Sequence, residues 1–584
     1  MILKALVDYY HRLLDDPDVD IAPFGFERKA IDFIIILEQN GNFSNLLDVR
    51  QREGKKRKGR IFLVPKAVKR TAGIKPNLLW DTLPYTLGIA TPDPKKDMTK
   101  LAHRALEQHE AFVNEICEVF GNCNDPGIMA VLAFFEGNFR KSVFSHQLWP
   151  ELETCAGNLS FRLQGDELLI CQRPQVRKII LEKTISKAGK QTCAISGEQD
   201  VPAELHTAIK GVWGAQSSGA NIVSFNLDAF RSFGKKQGYN APIGQRAEFA
   251  YTTALNYLLA SEKQRIQVGD ASTVFWAQEA CDLEDDFFTL IGQPKKGEQA
   301  VNYDKIRGLL TAVKTGIPPT EEKIAFYVLG LAPNASRIAV RFWYEGNVKE
   351  IKERIARHFE DISIIRASYD PEYLSLFQLL LSLATEHKAD NIPPNLAGEL
   401  ARAVLYGTNY PRSVLAATVQ RCKAEQQINF AQASLIKGFL ARDARLSENK
   451  NKEVGMALDK TYNNIGYVLG RLFAVLERIQ EQAQGAGLNK TIRDTYFGAA
   501  SSSPLVTFRR LQDLSIHHLA KIRNSGKSTI WLEKLLGEVE DLLPPQGIPA
   551  ILTLEDQGRF AVGYYHQRQD FFKTNDNRNG KGDE

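Results

Sequence analysis

Cysteine is scarce, with seven in 584 residues: Cys117, Cys123, Cys155, Cys171, Cys193, Cys281 and Cys422. An odd, scattered set fits a reducing cytoplasm rather than a disulfide scaffold. No two form a C-x-x-C pair and no histidine stands at finger spacing, which excludes the common structural zinc sites. Long apolar runs are missing as well, so no membrane span is expected. The opening stretch reaches Asp15 and Asp16 without a signal-peptide cleavage pattern. Phosphate-binding glycine loops, H-E-x-x-H and G-x-S-x-G are all absent. Glu284-Asp285-Asp286 is a carboxylate run that reads as a solvated turn. No catalytic constellation emerges, and no cofactor or metal is expected.

What is present is ordinary in bulk: 43% hydrophobic, 24% charged and a net charge of +5. These values exclude a disordered or fibrous chain, and the length implies about three to five domains. The charge is unevenly spread. Between Arg50 and Lys75 stand Arg50, Arg52, Lys55, Lys56, Arg57, Lys58, Arg60, Lys66, Lys69, Arg70 and Lys75 against the lone acid Glu53. Gly54 and Gly59 bracket the densest part, which reads as a loop before a short strand, Ile61–Val64. Such a segment suits a phosphate backbone, where each neutralised phosphate releases counterions.

The hydrophobic pattern predicts an α+β protein: a mixed α/β N-terminal region, a mainly helical middle and a C-terminal helical bundle. The expected divisions are 1–300, 301–455 and 456–584. Helices are expected at Leu3–Leu14 and Ala102–Phe120, and a strand at Ile31–Leu37. A hairpin is expected from Ser160–Leu163 and Glu167–Cys171 across a Gln-Gly-Asp turn. Arg337–Trp343 reads as a strand within the helical middle, and Leu374–Leu383 as a buried helix.

Lys210-Gly-Val-Trp-Gly-Ala-Gln-Ser-Ser-Gly219 has two open readings. Gly211, Gly214 and Gly219 let backbone approach a ligand, while Gln216, Ser217, Ser218 and Asn221 can bond base edges or phosphates. Equally, it can be a tight turn into a buried strand, Ile222–Phe225. Past a linker at 445–455, helical periodicity recurs in Leu458–Ile479, Phe508–Ile522, Trp531–Leu543 and Phe560–Phe571. Lys460–Lys527 holds ten bases and four acids, enough for one basic side on the bundle.

Several segments together resemble a known family. They are Gly73-Ile-Lys-Pro-Asn-Leu-Leu-Trp-Asp81 with Tyr85 and Gly88; Cys193-Ala-Ile-Ser-Gly-Glu198; Ile209–Gly219 with Val223-Ser-Phe-Asn226; and Tyr251-Thr-Thr-Ala-Leu-Asn256. Phe275-Trp276, Leu329–Asn334 with Arg341-Phe-Trp343, and Gln557–Phe560 with Gly563–Arg568 complete the set. In this order the chain resembles the large subunit of the type I-C CRISPR Cascade surveillance complex, the Dvulg-subtype family.

The resemblance implies a non-enzymatic subunit that recognises a protospacer-adjacent motif in target double-stranded DNA, aids duplex opening and R-loop formation, and helps recruit a helicase–nuclease. Implied partners are crRNA and the other Cascade subunits: backbone, crRNA-processing and small subunits. In RNA-guided recognition protein reads the short motif and base pairing reads the rest. On this reading Lys55, Lys56, Arg57, Lys58, Arg60, Lys66, Lys69 and Arg70 hold phosphates, and Lys75 and Asn77 reach base edges. The Gly211–Gly219 loop, with Lys210, Gly214 and Asn221, inserts beside the opened pair with Gln216 as wedge. Trp80 and Trp276 are expected in the core. Rival readings are a metal-dependent nuclease and a purely structural scaffold.

Only four methionines exist, Met1, Met98, Met129 and Met456. Met456 precedes the bundle, and Lys452-Glu-Val454 upstream can be encoded as a ribosome-binding sequence. Met456 is therefore an expected internal start, giving a small subunit of residues 456–584. The resemblance supports it, since type I-C systems make their small subunit from within this gene. Arg509, Arg510, Lys521, Arg523 and Lys527 would then line the displaced DNA strand.

Overall fold

The computed structural model describes every residue except 1, 54–55, 69, 71–72, 93–96, 185–188, 293–298, 317–318, 449–453, 486–489 and 580–584. It divides into two compact units. The first comprises essentially residues 3–207 and 223–254, and the second 208–222 and 255–584. The fold class is α+β, as the hydrophobic pattern predicts.

The first unit opens with α1 (Ile2–Asp15), then β1 (Phe26–Ile31), β2 (Phe33–Leu37), β3 (Phe43–Asp48), β4 (Gln51–Glu53), β5 (Lys56–Lys58), β6 (Arg60–Pro65) and β7 (Trp80–Thr82). Helices α2 (Leu83–Leu87), α3 (Met98–Phe120), α4 (Pro126–Glu136), α5 (Phe139–Phe144) and α6 (Trp149–Glu153) follow. Then come β8 (Asn158–Leu163), α7 (Pro174–Thr184), the two-residue strands β9 (Gln191–Thr192) and β10 (Gln199–Asp200), and α8 (Gln245–Ala260).

A four-stranded sheet runs β3-β2-β8-β7, with β2 and β8 parallel at its centre. Every residue of β2 is buried, which is why its sequence, Phe-Ile-Ile-Ile-Leu, does not alternate. Phe112, Phe134, Phe161 and Trp80 belong to the same core. Trp80 and Trp276 are both core residues, as expected. The expected hairpin after β8 does not form. Only Arg162 and Leu169 bridge, and Ile170–Gln172 turns into a 3-10 helix whose Gln172 side chain bonds the Leu63 carbonyl.

The second unit contains an antiparallel sheet in simple order, β11 (Arg265–Val268), β12 (Ala271–Ala277), β13 (Ala325–Asn334) and β14 (Arg337–Asn347). Between and after these strands lie α9 (Asp282–Ile291), α10 (Gln299–Thr315), α11 (Pro319–Glu322), α12 (Val348–Ile362), α13 (Leu376–Leu381) and α14 (Pro394–Tyr406). Helices α15 (Arg412–Glu425), α16 (Phe430–Leu446), α17 (Ile465–Gln484), α18 (Ile492–Ser502), α19 (Pro504–Asn524), α20 (Ile530–Glu540) and α21 (Leu554–Asn579) complete it. Leu458–Asn464 is not helical, so α17 starts later than periodicity suggests, where Asn464 caps Gly466 and Tyr467.

Helices α17 and α21 touch backbone to backbone. A Cβ on Gly470 would lie 2.0 Å from the Phe560 carbonyl oxygen, and one on Gly563 would lie 2.3 Å from that of Tyr467. No side chain can yield there, so Gly470→Ala must push the helices apart. We expect a loss of about 1–3 kcal/mol, read from urea unfolding.

His358 and His566 are buried in this unit. Burial, reinforced by Arg442, lowers His358 from 6.5 to about 3. Burial, reinforced by Lys437, lowers His566 to about 4. Above about pH 6.5 both are neutral whether folded or unfolded, and stability is full. As pH falls, the unfolded chain takes up protons that the folded chain refuses. Stability should therefore decline by about 1 kcal/mol per pH unit for each histidine until its folded pKa is reached. Urea midpoints between pH 7 and 5 check this, and His566→Gln should flatten the slope.

Candidate nucleic-acid interface

In the first unit the dense basic run folds as the β4–β5 hairpin, with Gln51 opposite Lys58 and Arg52 opposite Arg57. Arg57 and Lys58 of β5 are exposed, as is Arg60 at the start of β6. Asp48 and Glu151 accept from Arg57 at 3.0 and 3.3 Å. Arg60 lies 5.4 Å above the Phe62 ring. Arg50 is instead structural: it donates to Asp48 at 2.7 Å and Glu151 at 2.6 Å, and covers Phe33. Arg50 in turn holds the Asp48 carboxyl below its usual range. Lys55 and Lys69 lie outside the described residues, as does the side chain of Lys56.

Three of the cations and amides expected on DNA are committed to the fold instead. Lys66 donates to Thr207 Oγ1 at 3.1 Å, sits 3.8 Å from the buried Glu248 carboxylate and lies over Phe249. Arg70 pairs with buried Asp81, donates to the Lys75 carbonyl at 2.8 Å and lies over Tyr85. Asn77 is buried: its side-chain oxygen accepts from Val68 N at 3.0 Å, and its own N–H donates to Asp81 at 2.9 Å. Asn77 thus braces the loop through its side-chain oxygen and its backbone N–H. Lys75 remains exposed on that loop.

Periodicity of α3 did not reveal its contribution. An open groove of about 440 Å³ is lined by Gly73, Ile74, Lys100, His103, Arg104 and Glu107. Lys100 and Arg104 are one helical turn apart, so their charges share a face. The signal was an i, i+4 pair of bases opposite a glycine-bearing loop, and it was visible only once the loop's position was known.

In the second unit, Ile209 and Ala220 exchange backbone hydrogen bonds at 2.8 and 3.0 Å and close the glycine loop. Gly219 has φ +90°, and a Cβ there would stand 2.7 Å from the Ile209 carbonyl oxygen. Only glycine fits the closure. Gly219→Ala should disorder the loop tip while leaving the unfolding midpoint nearly unchanged, because the residues between are mostly exposed; proteolytic nicking near Gln216 measures it. Lys210 N donates to Asn256 at 2.8 Å and Trp213 N to Ser272 at 2.9 Å, anchoring the loop's first half. Gly211 and Gly214 also have positive φ.

Gln216, Ser217 and Ser218 are exposed at the tip. The Asn221 carbonyl is taken by Ile338 N at 3.1 Å. Ile222–Phe225 forms no strand, so the tight-turn-into-strand alternative does not hold. The side chain overlooked in sequence is Trp213, which is 57% exposed on this loop.

Within the bundle the cations divide. Arg471 is buried and bonded to Gln567 and the Lys460 carbonyl, and Arg478 faces Glu481 at 3.1 Å. Arg523 pairs with Glu533. Arg509, Arg510, Lys521 and Lys527 are exposed along and just after α19, with Arg510 over the Tyr496 ring. Met456 is 57% exposed, and its carbonyl accepts from Ile365 N at 2.7 Å. The core is continuous across it: Gly558 of α21 lies against Ile436 and Leu415, and Tyr565 donates to the Ile365 carbonyl.

The carboxylate run is not a solvated turn. It opens α9, where buried Glu284 accepts from Ala277 N at 2.8 Å and Asp286 faces Lys305 at 2.9 Å. Among the described residues no group of three or more potential metal ligands assembles, and no helix is long and apolar enough to cross a membrane.

A family model described as CRISPR-associated protein (Cas_Csd1) matches residues 6–572. The chain belongs to the Cas_Csd1 family. It is therefore a CRISPR-associated Cascade subunit, in agreement with the resemblance to a type I-C large subunit. The match runs through both units and reaches α21, so the Cas_Csd1 assignment covers the hairpin, the groove, the glycine loop and the bundle alike. No curated protein matches the chain.

Proposed function

We propose that this Cas_Csd1 protein is the non-enzymatic, DNA-recognising large subunit of a crRNA-guided type I-C complex. It reads the protospacer-adjacent motif, assists duplex opening and R-loop formation, and presents a surface to the helicase–nuclease. The observation that carries the reading is the run of exposed cations on the β4–β5 hairpin and the start of β6, Arg57, Lys58 and Arg60, on a unit that also bears the Lys100–Arg104 groove. Phosphate contacts position such a protein and a few side chains specify bases. Here Lys58 and Arg60 grip phosphate, Lys75 and Arg104 reach base edges, and Trp213 or Gln216 occupies the space of an opened base pair.

Binding of the assembled complex to duplexes with a randomised flanking motif tests this. Lys75→Ala and Arg104→Ala should relax motif preference while nonspecific affinity is largely kept. Unchanged preference in both, and in Trp213→Ala and Gln216→Ala, would reject the site assignment.

The bundle extends the proposal. Met456 starts a second product, residues 456–584, whose exposed Arg509, Arg510, Lys521 and Lys527 follow the displaced strand. Released from the full chain, it would bare the α21 face that lies on α15 and α16. Such a product should therefore be found bound within the complex rather than free. Mass spectrometry of the purified complex that finds no species beginning at Met456 would sink this part.

A further inference from the structure

A second exposed element of the first unit is unexplained by packing. Between Leu227 and Asn240 the chain makes two short 3-10 turns, Asp228–Phe230 and Gln237–Asn240. Leu227 is 54% exposed, Phe230 37% and Phe233 97%. The loop is nonetheless shaped. Asn240 accepts from Ser232 N at 2.9 Å and donates to the carbonyls of Lys235 and Gln237 at 3.2 and 2.9 Å. Lys235 N returns to the Ser232 carbonyl at 2.9 Å, and Gly238 N bonds the Glu204 carbonyl at 2.9 Å. This bracing holds Phe233 at φ 51°, a left-handed conformation that an aromatic residue adopts only at a cost. Backbone preference and burial both argue against a phenylalanine here.

Charge tells what the ring is for. Asp228 is the only acid between Leu227 and Asn240, and it is paired with Arg231 at 2.7 Å. Lys235 and Lys236, two and three residues further along the same loop, are both exposed. An aromatic face with two neighbouring ammonium groups is the arrangement that holds a base by stacking and its backbone by charge. The tip, Phe233-Gly234, carries no side-chain hydrogen-bonding group, so stacking governs the contact, and the DNA target of the proposed function is the strand it would meet.

We propose that this loop is a single-stranded DNA site, with Phe233 stacking on an unpaired base and Lys235 and Lys236 holding its flanking phosphates. The inference deepens the DNA-recognition reading and rests on it.

The test uses the assembled complex and a single-stranded oligodeoxynucleotide carrying 2-aminopurine. Wild type should quench the probe. Phe233→Ala should abolish quenching and weaken binding about 5- to 150-fold, whereas Phe233→Trp should keep both. Lys235→Ala with Lys236→Ala should lower the salt slope by about 1.4 without removing the quench. Because Phe233 is almost wholly exposed, loss of fold does not confound the alanine variant. Unchanged binding and quenching in Phe233→Ala would overturn the proposal. So would a Phe233→Ala complex that keeps DNA but sheds a protein subunit, or one that loses only an RNA oligonucleotide of the same sequence. Duplex binding that still depends on Lys58 and Arg60 would confine such a failure to this loop. Absence of duplex binding in wild type would instead overturn the DNA-recognition reading itself.

Discussion

Asp361→Ala should unfold the second unit more readily than any surface change in it, at a cost of about 3–5 kcal/mol. Asp361 is 3% exposed and Arg442 is fully buried. The Asp361 carboxylate accepts from Arg442 Nε at 2.9 Å and from Arg445 Nη2 at 2.9 Å. Arg442 also donates to the carbonyls of Ala403 and Thr408 at 2.9 and 3.0 Å, and stacks on Tyr410. This cluster ties α12, α14 and α16 together. Removing the carboxylate strands a guanidinium in the core with two carbonyls for company. The penalty is that of an unpaired buried charge, not the worth of one ion pair. Arg442→Met should cost less, because the Asp361 carboxylate that remains still has the Arg445 guanidinium as its partner. Urea unfolding of both variants orders them, and equal losses would reject the argument.

That cluster also marks where sequence reading stops. Helix existence was legible because amphipathic periodicity is local: α3, α19 and the bulk of α17 lie where spacing puts them. Strand β2 was legible as an apolar, β-branched run. The pairing of Asp361 with Arg442 and Arg445 was not, because nothing along the chain says which of many acids meets which arginine. The same holds for Glu284, whose neighbours in sequence suggested solvent while the first turn of α9 turned it toward Ala277 N. The failed hairpin after β8 has a similar cause. Its alternation was sound, but the segment turns into a 3-10 helix whose Cys171 and Gln172 side chains bond the Leu63 carbonyl of β6. Gly470 and Gly563 carry no signal along the chain, yet their missing side chains let α17 and α21 meet backbone to backbone.

The candidate site was half legible. Clustered charge is a sequence property, so the hairpin stood out. Which of those cations reach solvent is a property of the fold. Arg50, Lys66 and Arg70 look like Arg57 and Lys58 in sequence, yet each of the three packs over an aromatic ring beside a carboxylate it bonds, while Arg57 keeps more than half of its side chain exposed. Exposed aromatics were hidden for the converse reason: tryptophan and phenylalanine default to the core, and only the structure singles out Trp213 and Phe233.

Replacing Lys58 and Arg60 with glutamate, together with Arg57→Ala, should all but remove nonspecific duplex binding by the complex. Each phosphate left without its cation takes about 0.9 from the salt slope and, near 0.1 M salt, close to a decade of affinity. Three such phosphates would give a slope smaller by about 2.7 and binding weaker by roughly two to three orders of magnitude. Arg57 should carry the smallest share, because Asp48 and Glu151 already neutralise much of it. The control is Lys66→Ala with Arg70→Ala, which removes cations from positions committed to Glu248 and Asp81. If those changes lower stability but leave the slope intact, the line between folding cations and DNA-binding cations falls where exposure puts it. If the hairpin variants leave slope and affinity unchanged, this face does not meet DNA and the subunit's DNA-binding surface must be sought on the glycine loop or α19. Titration of duplex affinity between about 50 and 300 mM salt separates a folding defect from a binding defect. A folding defect lowers the active fraction at every salt concentration, while a phosphate that no longer meets its cation changes the slope.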